Sequence, residues 1–151
     1  MKDHLEAFAG AITNVLTQIG SEGVVKGECE TPEDMFCKHE VIIIIGLTLD
    51  LRGSIAYSMS PSTAINIAST MMCGMPIAEL DDMARSAVCE FANMSAGAGV
   101  STLPKEMKVD ITPPTMIIGQ KMALMMGSYD VLKTRITTPW GEIELRLSIE
   151  Q

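Results

Sequence analysis

The chain has 151 residues, 47% of them hydrophobic, which suffices for one well-buried core but not two, so a single domain over residues 1–151 is expected. Its formal charge of -8, from 11 basic and 19 acidic residues, works against a nucleic-acid partner or an anionic membrane surface, because phosphate is held by clustered Lys and Arg. The opening MKDHLEAFAG lacks the basic start and apolar run of an export signal, and Val41 to Leu47 is far shorter than the ~20 residues of a membrane-spanning helix, so a cytoplasmic protein without a membrane contact is expected.

Residues 3–19 place Leu5, Phe8, Ala9, Ile12, Val15, Leu16 and Ile19 at spacings of three and four, which predicts an amphipathic helix ending at Gly20 and Gly23. Val24 to Cys29 reads as a short strand, and Thr31 to Asp34 as a turn. The β-branched run from His39 to Gly46 predicts a strand covered on both faces, with Leu51 to Met59 as its antiparallel partner. Ser60 followed by Pro61 is an N-cap with proline at the first helical position, opening a short helix that reaches Gly74. A second start at Met75 and Pro76 leads into a long helix through Ile77, Leu80, Ala84, Val88, Phe91 and Ser95 to Ala98.

Beyond it, Lys108 to Thr112, Thr115 to Gly119, Met122 to Arg135 and Glu142 to Ile149 read as strands, with Pro113-Pro114 and Pro139-Trp140-Gly141 as punctuation. In the last strand Ile143, Leu145, Leu147 and Ile149 alternate with Glu144, Arg146 and Ser148, the pattern of a half-buried antiparallel strand. The order predicts an α+β (mixed α/β) fold, with an N-terminal helix and an antiparallel-rich sheet of about six strands packed against two to three helices, one of them long.

The four cysteines, Cys29, Cys37, Cys73 and Cys89, contain no C-x-x-C pair and read as reduced structural thiols. Cys37 with His39 supplies two metal ligands without a second pair at usable spacing, so a partly exposed strand start is the simpler reading. The thirteen methionines, among them Met71, Met72, Met83, Met94, Met122, Met125 and Met126, read as core filling rather than the lining of a small-ligand site. Asp81 and Asp82 suit the first turn of a helix, where carboxylates complement the dipole, better than a cation site. Trp140 reads as a hairpin or dimer-contact residue.

At about 100° per residue, the apolar side chains of the long helix gather on one side, and Asp82, Ser86, Glu90, Asn93 and Gly97 fall in a row on the other. Glu90 and Asn93, one turn apart, bring a carboxylate and an amide to within about 5–6 Å at Cβ. An amide can hold a water by donating and accepting hydrogen bonds and aim it at phosphorus, and a carboxylate beside it can pair with a partner's lysine. Glycine inside an exposed helix costs about 1 kcal/mol relative to alanine, so Gly97 on the row suggests close approach by a partner, and Gly99 suggests tight packing on the core side. Glu-x-x-Asn also occurs by chance in many helices, and spacing alone leaves a plain solvated face open.

The segment Ala84 to Gly97, ARSAVCEFANMSAG, resembles the helix motif of the CheC/CheX family of chemotaxis phosphatases, which carries a Glu-x-x-Asn pair in the same setting of small residues. Gly53-Ser-Ile-Ala-Tyr-Ser58, the turn Met71-Met72-Cys73-Gly74-Met75, and Asp110-Ile-Thr-Pro-Pro-Thr115 with Gly119 extend the likeness over most of residues 40–120. The resemblance implies hydrolysis of the aspartyl phosphate on a CheY-like response-regulator receiver domain, with Asn93 orienting the attacking water and Glu90 pairing with the receiver's lysine. It implies Mg2+ carried by the receiver, and no cofactor or metal bound by this chain, while the polar row itself offers Asp82, Ser86 and Gly97 as partner contacts. Glu6 is followed three residues on by Ala9, and Thr63 precedes Asn66, so neither other helix repeats the pair. One site per chain points to the CheX-like branch and to a homodimer. The competing reading is a non-catalytic adaptor that docks a receiver or motor protein through the same helix face.

Overall fold

The hydrophobic patterning resolves into three helices and nine strands in the computed structural model, which describes residues 1–127 and 130–150. In chain order these are α1 (Lys2–Gln18), β1 (Val25–Lys26), β2 (Phe36–Cys37), β3 (Val41–Leu49), β4 (Gly53–Met59), α2 (Pro61–Met71), α3 (Asp82–Ser101), β5 (Val109–Ile111), β6 (Thr115–Ile118), β7 (Met122–Ala123), β8 (Val131–Thr138) and β9 (Gly141–Ile149). Seven strands form one antiparallel sheet in the order β1-β8-β9-β4-β3-β5, with β6 also paired to β3, and β2 and β7 make a separate ribbon. The sheet of seven strands agrees with the expectation of about six, and β3 is long enough to hold both β5 on Leu47 to Leu49 and β6 on Val41 to Ile44.

Alternation along the strands sends Val41, Ile43, Ile45 and Leu47 of β3, Ile55, Tyr57 and Met59 of β4, and Ile143, Leu145 and Leu147 of β9 toward the helices. There they meet Leu5, Phe8, Ile12 and Leu16 of α1 and Val88, Phe91 and Ala92 of α3 in a single core. Ser60 caps α2, its hydroxyl accepting from the Thr63 N–H at 3.1 Å with Pro61 next, as the sequence predicts.

The long helix begins later than its periodicity suggests. Ile77 and Leu80 pack against the core from an irregular segment, and Asp81 is the N-cap, its carboxylate accepting from the Ala84 N–H at 2.9 Å. Apolar spacing before a cap satisfies a helical period without forming a helix. The stretch Met122 to Arg135, expected as one strand, divides into β7 and β8, which pair in different sheets; residues 128–129 lie outside the described residues.

Strand β9 is covered on both faces, not one. Glu144, Arg146 and Ser148 are 3%, 5% and 2% exposed beneath the β2–β7 side of the molecule. Arg146 Nε donates to Glu144 Oε1 at 2.6 Å, its Nη2 to the Phe36 carbonyl at 3.0 Å, and Ser148 Oγ to the Met126 carbonyl at 3.0 Å. Ile42, Ala56 and Cys37 form a small second core on this face, so the second face of the isoleucine run is also buried. Cys37 is thus buried rather than a partly exposed strand start, and His39 Nε2 lies 3.2 Å from Glu142 Oε1.

Candidate active site

Helix α3 presents the polar row as an outward face. Asp82, Ser86 and Glu90 are exposed, and Asn93 and Gly97 are partly exposed, while Ala84, Val88, Phe91, Ala92 and Ser95 are buried behind them. The two glycines divide as their positions suggest. A Cβ on Gly97 would meet nothing within 4 Å, whereas one on Gly99 would stand 2.2 Å from Cδ1 of the buried Phe8.

The row forms one wall of an open groove of about 450 Å³, lined by Ser86, Cys89, Glu90 and Asn93 from α3 and by Ile111, Thr112, Pro113 and Pro114 from the β5–β6 connection. A second hollow of about 540 Å³ shares Ser86 and Cys89 and continues toward Asp82, Arg85, Met116 and Ile118. Together they make a trough along α3 that faces the β5–β6 edge of the sheet. All five predicted row residues lie along this face, but Asp82 is engaged by the Arg85 guanidinium, which also donates to the Leu80 carbonyl at 2.7 Å.

Sequence reasoning missed the opposite wall. Pro113-Pro114 looked like punctuation, yet two prolines inside a strand pattern are themselves a signal for an edge or a bulge. It also misassigned methionines: Met83, Met94 and Met125 are 60%, 37% and 71% exposed, and only Met59 is wholly buried among the described residues. Met83 and Met94, seven residues before and four after Glu90, share its side of the helix and flank the row with soft apolar surface.

Cys89 sits between the two hollows, and burial pushes its thiol pKa up, so it stays neutral rather than serving as a thiolate nucleophile. Among the described residues, no three His, Cys, Asp or Glu side chains converge to hold a metal ion, and the groove brings a single carboxylate, Glu90. The other two helices do not repeat the arrangement. Glu6 pairs with Lys26 and accepts from Cys29 at 3.2 Å, the Thr63 hydroxyl donates to the Trp140 carbonyl at 2.9 Å in the β8–β9 hairpin, and Asn66 Nδ2 donates to the Ser62 carbonyl at 2.9 Å.

A family model described as chemotaxis phosphatase CheX matches residues 41–136. The CheY-P phosphatase CheX of Thermotoga maritima is 33% identical over 149 residues, covering 97% of this chain and 95% of that protein. Among solved structures, a CheX–CheY–BeF3–Mg2+ complex from Borrelia burgdorferi aligns with a TM-score of 0.82 and 28% identity over 100% of both chains. CheX from Desulfovibrio desulfuricans aligns with a TM-score of 0.88 over 98% of this chain and 99% of that one, and at 23% identity this is a likeness of fold.

Proposed function

Because the chain belongs to the CheX family of chemotaxis phosphatases, we propose that it hydrolyses the aspartyl phosphate of a CheY-like receiver domain through the α3 groove. The observation that carries this reading is the pairing of Glu90 and Asn93 in one groove, on a helix face whose neighbours Ser86 and Gly97 leave room for a second protein. In this reading Asn93 holds a water through its amide and directs it at phosphorus. The water oxygen bonds to phosphorus, the bond to the aspartyl oxygen breaks, and the receiver regains its carboxylate as inorganic phosphate leaves. Glu90 pairs with the receiver's lysine and fixes the docking angle, converting a bimolecular attack into an oriented one.

We assign Mg2+ to the receiver, with no ligand from this chain, a reading supported by the Borrelia burgdorferi complex, which holds Mg2+ together with CheY and BeF3. The reading assigns the protein to the cytoplasm with its substrate. Among the described residues no helix is long and apolar enough to cross a membrane. We take the working unit to be a homodimer, a reading supported by Ile117, 42% exposed on the edge strand β6 and outside the trough.

Asn93→Ala tests the chemistry. Phosphate loss from a phosphorylated receiver, followed with and without the protein, is expected to slow by roughly 100-fold relative to wild type while receiver binding persists. Binding by wild type with no acceleration, across the candidate receivers, would favour the adaptor reading instead.

A further inference from the structure

The wall opposite Asn93 is built in an unusual way. Strand β3 pairs Leu47 with Ile111 and Ile44 with Thr115, so Pro113 and Pro114 together stand opposite the single residue Ile45, a β-bulge on an edge strand. Thr112 fastens the bulge to the sheet twice. Its N–H donates to the Gly46 carbonyl at 2.9 Å, and its hydroxyl accepts from the Gly46 N–H at 2.8 Å. Gly46 is matched to this clamp, since a Cβ there would lie 3.0 Å from Thr112 Cγ2.

The hydrogen-bonding consequence faces the groove. The Ile111 N–H is taken by Asp110 Oδ1 at 3.0 Å, the Thr112 N–H by Gly46, and the Thr112 hydroxyl donates to the Pro113 carbonyl at 3.3 Å. Pro113 and Pro114 have no N–H at all, and their ring-fixed φ keeps the wall stiff. Among the described residues lining this groove, a water therefore meets free amide donors only from Asn93. A donor on the opposite wall would occupy the lone pair that must attack phosphorus, and a mobile wall would let the water leave the line of attack.

Resting on the reading of Asn93 as the water-orienting residue, we propose that Thr112 is a positioning residue: clamped to Gly46, it holds the Pro113–Pro114 bulge as a donor-free wall that confines the attacking water against Asn93.

The test is steady-state phosphate release from a phosphorylated receiver by wild type, Thr112→Val, Thr112→Ser and Thr48→Val. Valine keeps the shape of threonine but removes the acceptor for the Gly46 N–H, and is expected to lower kcat about tenfold with KM within about twofold. Serine restores the hydroxyl and with it most of kcat. Thr48, whose hydroxyl donates to the Asp110 carbonyl at 3.4 Å, belongs to the same β3–β5 pair outside the groove, so Thr48→Val controls for loosening of the strands and leaves kcat unchanged. The proposal is overturned by a Thr112→Val kcat equal to wild type, by a serine variant as slow as the valine one, or by an equal fall in Thr48→Val. A wild-type chain that fails to accelerate phosphate loss overturns the phosphatase reading as well, which separates the two failures.

Discussion

Among the described residues, Glu90 carries its charge into the groove without a basic side chain of its own chain against it, whereas Glu6, Glu142 and Glu144 are each held in an ion pair. A carboxylate left open at a docking surface keeps its attraction for an incoming cation. Glu90→Gln keeps the shape and removes the charge, and is expected to raise KM for the phosphorylated receiver about tenfold while flattening its dependence on salt, with a smaller effect on kcat. Steady-state kinetics at two ionic strengths checks this. Identity and spacing made Glu90 and Asn93 legible as residues. Their surroundings were less so: the Asp82–Arg85 pairing depends on the helix starting at Asp82, and Thr112 matters through a partner 66 positions away.

Helix α3 holds two glycines two residues apart with opposite demands. At Gly99 a methyl group would drive into the Phe8 ring, so Gly99→Ala is expected to destabilise the fold by about 1–3 kcal/mol. At Gly97 the same change fills open space and removes a flexible residue, and Gly97→Ala is expected to stabilise by about 1 kcal/mol. Urea-denaturation midpoints read both, in opposite directions. Gly97→Leu is expected to keep the fold and weaken receiver binding, because the row needs room at that turn. Periodicity located this helix and its faces, since a helical face repeats every few residues and is written locally. It did not locate the helix's beginning, where Asp81 ended an irregular but apolar approach by capping the Ala84 N–H.

At the scale of the whole molecule, the sheet is buried on both sides, by the three helices on one face and by the β2–β7 ribbon with its flanking segments on the other. The second cover is pinned by a charge pair, Glu144 with Arg146, which is nearly wholly buried and which also reaches the Phe36 carbonyl. Removing one partner leaves an uncompensated buried charge, so Glu144→Ala is expected to cost about 3–5 kcal/mol. Thermal and urea unfolding check it, and the loss should exceed that of Lys26→Ala at the exposed Glu6 pair, where about 0–1 kcal/mol is at stake.

Composition, apolar periodicity and the Glu-x-x-Asn setting determined by themselves the α+β class, the existence of the long helix, its polar row and the likeness to the chemotaxis phosphatases, because each is a property of residues close together in the chain. Only the tertiary structure decided what faces that row and what covers β9. The groove's second wall is a proline bulge whose place is set by its register on β3, and Arg146 reaches the Asp34 carbonyl 112 residues earlier in the chain. Long-range pairings of this kind leave no period in the sequence.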